Sequence, residues 1–398
     1  VPSLAIEGDA LDAPRLVDGD VGAAFGQNTR LPVQTLQEGA WGLLQNMEIG
    51  PTGRILWRRG REIPSWTGPT YIDQLSGVRL AGMIYYRTSA SSRKMLIAYR
   101  SGGTDFVRTW DGSSQWLTVN SGSPGAVSFA GDLALIQAGN KVYFFNGVDK
   151  VRSWDGTTYA DEETGAANDA PPRGKVVAHH LGRLYVSAAT SNPSRIFYSD
   201  VLDYGNGAWD RAANWIEVAH LTGADVVALV SMRNQELWVF TTTSIHVILT
   251  SPNGSPAEWQ TRVIDPRIGC GSGKTVVPVG EDIYFMDQYG QVRTVNRTIA
   301  DVAQGSTKVP LSEAIYEELE AMPKTALAQA TAVYHEGRYY LSVSSGGSYP
   351  DRVYTYETNR GAWAFWTGWN IEHFIVADVQ SASDYKLFFF ASDTEGQL

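Results

Sequence analysis

With a single cysteine, Cys270, this 398-residue chain can build neither a disulfide framework nor a multi-thiolate metal site, so its stability must come from packing. Long apolar runs are missing as well. No stretch of 18 or more apolar residues occurs, and none is expected to cross a membrane as a helix. Basic residues are outnumbered, 32 Lys and Arg against 42 Asp and Glu. The net charge of −10 argues against a chain whose main task is to grip nucleic-acid phosphates. Glu7, Asp9 and Asp12 stand where a secretory leader would carry basic residues, so a soluble chain without an export signal is expected.

What is plentiful points to short strands and tight turns: 40 Gly, 13 Trp and 19 Tyr, with charged residues at only 19%. The signature Val107-Arg108-Thr109-Trp110-Asp111-Gly112 returns 44 residues later as Val151-Arg152-Ser153-Trp154-Asp155-Gly156. A period of that length with Asp-Gly turns predicts an all-β fold, a β-propeller whose repeats must stack to bury their faces. Short apolar pairs recur along the chain: Leu96-Ile97, Val142-Tyr143, Leu184-Tyr185, Leu237-Trp238, Ile283-Tyr284, Tyr339-Tyr340 and Leu387-Phe388. They are spaced by 46, 42, 53, 46, 56 and 48 residues. Seven pairs predict about seven blades, or six if one pair belongs to an irregular connection.

Residues 1–40, punctuated by Pro2, Pro14, Gly19, Gly22, Gly26 and Pro32, read as an extended N-terminal arm. Residues 41–398 read as the propeller. The last repeat stops after Lys386–Phe390, so the hairpin around residues 43–63 is expected to complete that blade and close the ring. Leu311, Ile315, Leu319 and Met322 recur at helical spacing before Pro323, which predicts a short amphipathic helix within an insertion at about 299–326. The insertion serves either as a contact element or as cover for a sheet edge.

Candidate chemistry is thin. Gly269-Cys270-Gly271-Ser272-Gly273-Lys274-Thr275 resembles a phosphate-binding loop but is one residue short, and a strand follows it where the loop needs a helix. His179 and His180 are adjacent, so on a strand they face opposite ways and cannot chelate one ion. Asp200, Asp203, Asp210 and Glu217 qualify as glycosidase carboxylates by type alone. No catalytic residue, cofactor or metal is expected. Two clusters are candidate subunit or partner contacts. Trp363, Trp366 and Trp369 read as a stacking platform or as an outer strand filling the gap between blades. Arg58, Arg59 and Arg61 read as a contact for acidic partners or phosphates, or as a solvated hairpin.

Three segments, Leu237–Val247, Arg267–Gly271 and Ile283–Met286 before Gly290, together resemble the tail nozzle or hub proteins of short-tailed bacteriophages, also described as tubular tail or packaged-DNA stabilisation proteins. Pro193–Ser199 and the Gly-Arg hairpin after Asn46-Met47 share that texture, and the likeness spans roughly residues 40–300. The helix at 311–322 and the end at Leu398 have no counterpart in that pattern. The resemblance implies a non-enzymatic virion tail protein, made in the host cytoplasm and assembled as a ring, usually of six copies. Its implied partners are a tail adaptor below the portal and a fibre, spike or plug protein, with viral DNA passing through without sequence-specific binding. The alternative is a carbohydrate-binding or glycoside-cleaving propeller, with the Trp cluster as sugar platform.

Overall fold

The computed structural model describes residues 26–27, 40–41, 45–49, 55–57 and, with short gaps, 79–391. Five of its sheets are four-stranded antiparallel meanders, spanning residues 79–118, 134–161, 176–217, 226–265 and 331–367, and a three-stranded one spans 277–294. We number these blades one to six in chain order, so that Val277–Thr294 is blade five. Ile371–Ala377 and Lys386–Ala391 form a two-stranded sheet that takes the seventh place. The fold is a β-propeller of six blades, five of them four-stranded, with this hairpin between blade six and blade one.

The recurring apolar pairs explain why the sheets stack. Every pair lies on the second strand of its blade, where neighbouring side chains point to opposite faces and both faces are covered. Leu96 joins Val142, Phe144 and Trp154 between blades one and two, while Ile97 joins Phe388 and Phe390 of the seventh place. Tyr143 meets Leu184 between blades two and three; Tyr185 meets Leu237 between three and four. Trp238 meets Ile283 between four and five, Tyr284 packs with Tyr339 between five and six, and Tyr340 packs with Leu387 and Phe389. One residue of each pair thus fills the core on its left and the other the core on its right. The circuit returns to its start.

The repeated Val-Arg-x-Trp-Asp-Gly signature ends the third strand of blades one and two. Trp110 and Trp154 are buried at matching places, and Gly112 and Gly156 turn with φ of 90° and 103°. Asp155 accepts hydrogen bonds from the Thr158 and Thr157 amides, which holds its carboxyl below the usual range.

The fourth strand of blade five is replaced by helices. Val295–Gln304 is a helix that the sequence reading missed, and the expected helix at 311–322 is broken up. Leu311 donates its amide to Val292 O at 2.7 Å, and Val292 donates to Ser312 Oγ at 3.0 Å, which holds the start of the segment against the third strand. A 3-10 turn at Glu313–Ile315 and a helix at Tyr316–Glu320 follow, then a second short helix at Lys324–Leu327. Ile315, Leu319, Met322 and Leu327 drop into the core between blades five and six.

The N-terminal hairpin corrects the expected closure. Met47–Ile49 pairs with Ile55–Trp57, but the hairpin lies along the outer strand of blade six, Ala362–Thr367, and does not complete the last repeat. Asn46 donates its amide to Phe365 O at 2.8 Å, Trp366 Nε1 donates to Met47 O at 3.1 Å, and Ile49 packs on Ala362 and Ala364. The buried carboxylate of Glu48 sits 3.3 Å from Arg338, whose guanidinium also donates to Ile49 O at 3.2 Å. Blade six offers this edge an apolar strip and one cation. Of the arm, Gly26–Gln27 and Ala40–Trp41 pair in parallel, the former beside the same outer strand, and Gln27 donates to Glu318 at 2.6 Å. We expect Arg338→Ala to release the hairpin, exposing the chain near residue 50 to limited proteolysis while the blades stay resistant; unchanged cleavage would show that the apolar strip alone suffices.

Candidate functional site

Most of the residues proposed for chemistry are occupied with holding blades together. His179 and His180, on the first strand of blade three, face opposite ways, as adjacent strand residues must. His179 Nε2 meets the Tyr204 hydroxyl at 3.1 Å, while His180 lies between blades three and four with Nδ1 at 2.8 Å from Ser231 Oγ and Nε2 at 2.7 Å from Thr250 Oγ1. Burial pushes His180 down from the ordinary 6.5 to about 4. Protons therefore bind the unfolded chain first. The stabilisation from neutral His180 is complete above about pH 6.5 and is lost as the pH falls toward 4, roughly 3 kcal/mol in all. Replacing it by Asn should remove this slope, so the gap in unfolding free energy between wild type and His180→Asn should shrink from pH 7 to pH 4. A gap independent of pH would refute it.

Cys270 is fully buried, its thiol pushed up to about 12 by burial, with Sγ 3.2 Å from Ser272 O. It is built as an inert packing group, not a nucleophile. The glycines around it serve close approach: a Cβ at Gly269 would lie 2.2 Å from the Thr243 amide nitrogen, one at Gly271 2.6 Å from Asp287 O, and one at Gly273 2.0 Å from Val227 O. The stretch is the seam between blades four and five, with Cys270 bridging to Asp287.

The candidate carboxylates do not converge. Glu217 lies 3.0 Å from Arg195; Asp210 accepts the amides of Ala212 and Ala213; Asp200 and Asp203 are exposed on the same connection. Among the described residues no group of three or more His, Cys, Asp or Glu side chains gathers around a point that could hold a metal.

The tryptophan platform is likewise overturned for two of its three rings. Trp363 and Trp366 are 1% and 5% exposed, and an odd spacing on the outer strand sends them to opposite faces. Trp363 fills the core between blades five and six and donates Nε1 to Leu311 O at 3.1 Å; Trp366 fills the next core. Trp369 is half-buried and stacks on Phe389 at 5.1 Å. Arg58, Arg59 and Arg61 lie outside the described residues.

Three polar ties had been missed. Asp287 accepts the amides of Tyr289 and Gln291 at 2.9 Å each and meets Arg293 Nε at 2.5 Å, its side chain wholly buried. Asp378, in the seventh place, receives the Tyr85 hydroxyl of blade one and lies 3.5 Å from Arg93; that hydroxyl, more than any other group, holds its carboxyl down. Lys274, just before blade five, reaches Asp132, just before blade two, at 3.0 Å. Blades two and five are not neighbours. That pair therefore crosses the ring on the face where the first strands begin. The turn Asp287-Gln288-Tyr289-Gly290 was the one visible signal, a carboxylate placed to cap its own turn; the others join residues well over a hundred positions apart.

No protein-family model matches the chain, and no curated protein sequence matches it. Among solved structures, BamB from Moraxella catarrhalis is similar at 10% identity, with 81% of this chain and 96% of that one covered and a TM-score of 0.44. YCF48 bound to D1 peptide is similar at 9% identity, over 79% of this chain and 89% of that one, also at 0.44. PorZ of the type-IX secretion system of Porphyromonas gingivalis is similar at 14% identity and a TM-score of 0.43; 78% of this chain is covered, but it spans only 35% of PorZ.

Proposed function

We propose that the chain is a structural, non-enzymatic subunit of a viral tail, a nozzle or hub that assembles as a ring, docks on a tail adaptor and lets DNA pass. The observation that carries this reading is the place of the residues that resemble that family. Leu237–Val247 supplies the second and third strands of blade four, Arg267–Gly271 the seam to blade five, and Ile283–Met286 the second strand of blade five. The shared texture is therefore one complete blade joint, a unit of architecture. Two further features support an assembly role over a catalytic one. The polar groups most suggestive of chemistry are tied into blade joints, and the N-terminal segment adds strands to an outer edge, as a clasp between parts does. An acidic chain, at −10, also suits a surface past which phosphates slide without sticking.

The test is the mass of the native particle and its averaged image in the electron microscope, alone and with candidate adaptor proteins. A closed ring, six copies being expected, supports the reading. A monomer that ignores adaptors and holds duplex DNA with a steep salt dependence would overturn it.

A further inference from the structure

The seventh place stops where the other blades go on. Lys386–Ala391 pairs with Ile371–Ala377 on one side, and on its other side no strand meets it among the described residues. Blade one, next to it, continues to a third strand, Thr104–Trp110, and a short fourth, Leu117–Thr118. Phe106, Arg108 and Trp110 alternate along that third strand and so share one face, and Trp116 stacks on Trp110 at 5.8 Å. This face is turned to the seventh place. Trp110 meets the Phe388 ring edge-on at 6.2 Å, Trp110, Trp116 and Phe388 share one core, and Phe106 packs against it.

Two polar groups on this face are left over. Arg108 is half-buried and lies over the rings of Tyr99 and Phe106, at 5.7 Å and 5.9 Å. Its guanidinium makes no hydrogen bond or ion pair among the described residues, although Nε is buried. Trp116 is 5% exposed, and its buried Nε1 likewise has no acceptor there. A guanidinium withdrawn from water without an anion is costly, and so is a buried indole N–H without an acceptor. Arg100, on the second strand, shows the ordinary solution: Asp105 takes Nε and one terminal nitrogen at 2.7 Å each. An open strand edge beside an unanswered cation specifies what fits. Pairing with the edge calls for an extended segment, the rings of Phe106 and Trp110 call for apolar side chains at alternate positions, and Arg108 between them calls for a carboxylate.

We propose that the seventh place is a strand-addition site for an extended segment of a partner protein that carries Asp or Glu between two apolar residues at alternate positions. The segment's backbone pairs with Lys386–Ala391 and its carboxylate sits on Arg108. This goes beyond the ring reading and stands or falls without it. The probe is a dye-labelled peptide, Thr-Val-Thr-Glu-Thr-Val-Thr, titrated into the full chain and followed by fluorescence anisotropy, beside the same peptide with Gln in place of Glu. Saturable binding of the Glu peptide is expected, weakened at least tenfold by Gln in the peptide and as much by Arg108→Gln in the protein. Combining the two changes should bring little further loss, because each removes the same contact. Arg108→Lys separates the site from a folding role: it keeps the charge over the rings but not the planar fork, so the melting temperature should hold while the Glu peptide still binds more weakly. Binding indifferent to Arg108 overturns the proposal. So does the absence of binding up to millimolar peptide, which would mean that the strand position is filled by the chain itself.

Discussion

Replacing Gly273 by Ala should destabilise the chain by about 3 kcal/mol or more, a large effect for one methyl group. The added carbon would stand 2.0 Å from Val227 O and 3.0 Å from its carbonyl carbon, and both belong to the first strand of blade four. Backbone cannot rotate out of the way as a side chain would, so blades four and five would have to part. Gly273 has no left-handed φ, which makes the cost a matter of space alone. Gly280 supplies the control: its φ is +62° with nothing within 4 Å, so Gly280→Ala should cost only about 1 kcal/mol, from conformation. Urea midpoints of the two variants compare the effects directly, and equal losses would mean that the seam gives way more easily than its geometry implies.

Truncating Asp287 should be the other severe change. Its carboxylate is wholly buried, Arg293 is only 11% exposed, and the acid also caps the turn through the Tyr289 and Gln291 amides. Asp287→Ala leaves a buried guanidinium without this carboxylate and two amides without their acceptor, at a cost of about 3–5 kcal/mol. Asp287→Asn keeps an acceptor for the amides and should recover part of the loss. The double variant Asp287→Ala with Arg293→Met should be more stable than Asp287→Ala alone, because it removes the buried guanidinium that this carboxylate had neutralised. If unfolding free energies instead add independently, the two side chains are not coupled and the ion pair carries no share of the stability.

The parts of the fold that were legible in the sequence are those written in local pattern. A strand covered on both faces must be apolar at consecutive positions, so the pairs from Leu96-Ile97 to Leu387-Phe388 announced the second strand of every blade. The Trp-Asp-Gly ends announced a turn because Gly112 and Gly156 must adopt positive φ. What failed depended on partners distant in sequence. Whether the hairpin at Met47–Trp57 would join the last repeat or blade six was decided by Arg338, almost 300 residues away, and by the apolar strip of Ala362 and Ala364. The helix at Val295–Gln304 does carry a stripe, Val295, Ile299 and Val302 at i, i+4 and i+7, but it follows directly on the strand Val292–Thr294 and was passed over with it. Trp363 and Trp366 were ambiguous for a different reason: the same rings can stack on a ligand or fill a core, and only the neighbouring blade decides between these uses.

Docking of the hairpin on blade six changes how load passes round the molecule. From Trp57 the chain runs on to Arg79 in blade one, so one covalent path joins blade six's outer edge to blade one while a second goes through the hairpin at 371–391. Blade six is therefore held on both sides in sequence, by the anchors at Arg338, Trp366 and Asn46 to the N-terminal hairpin and by direct continuation into Ile371–Ala377.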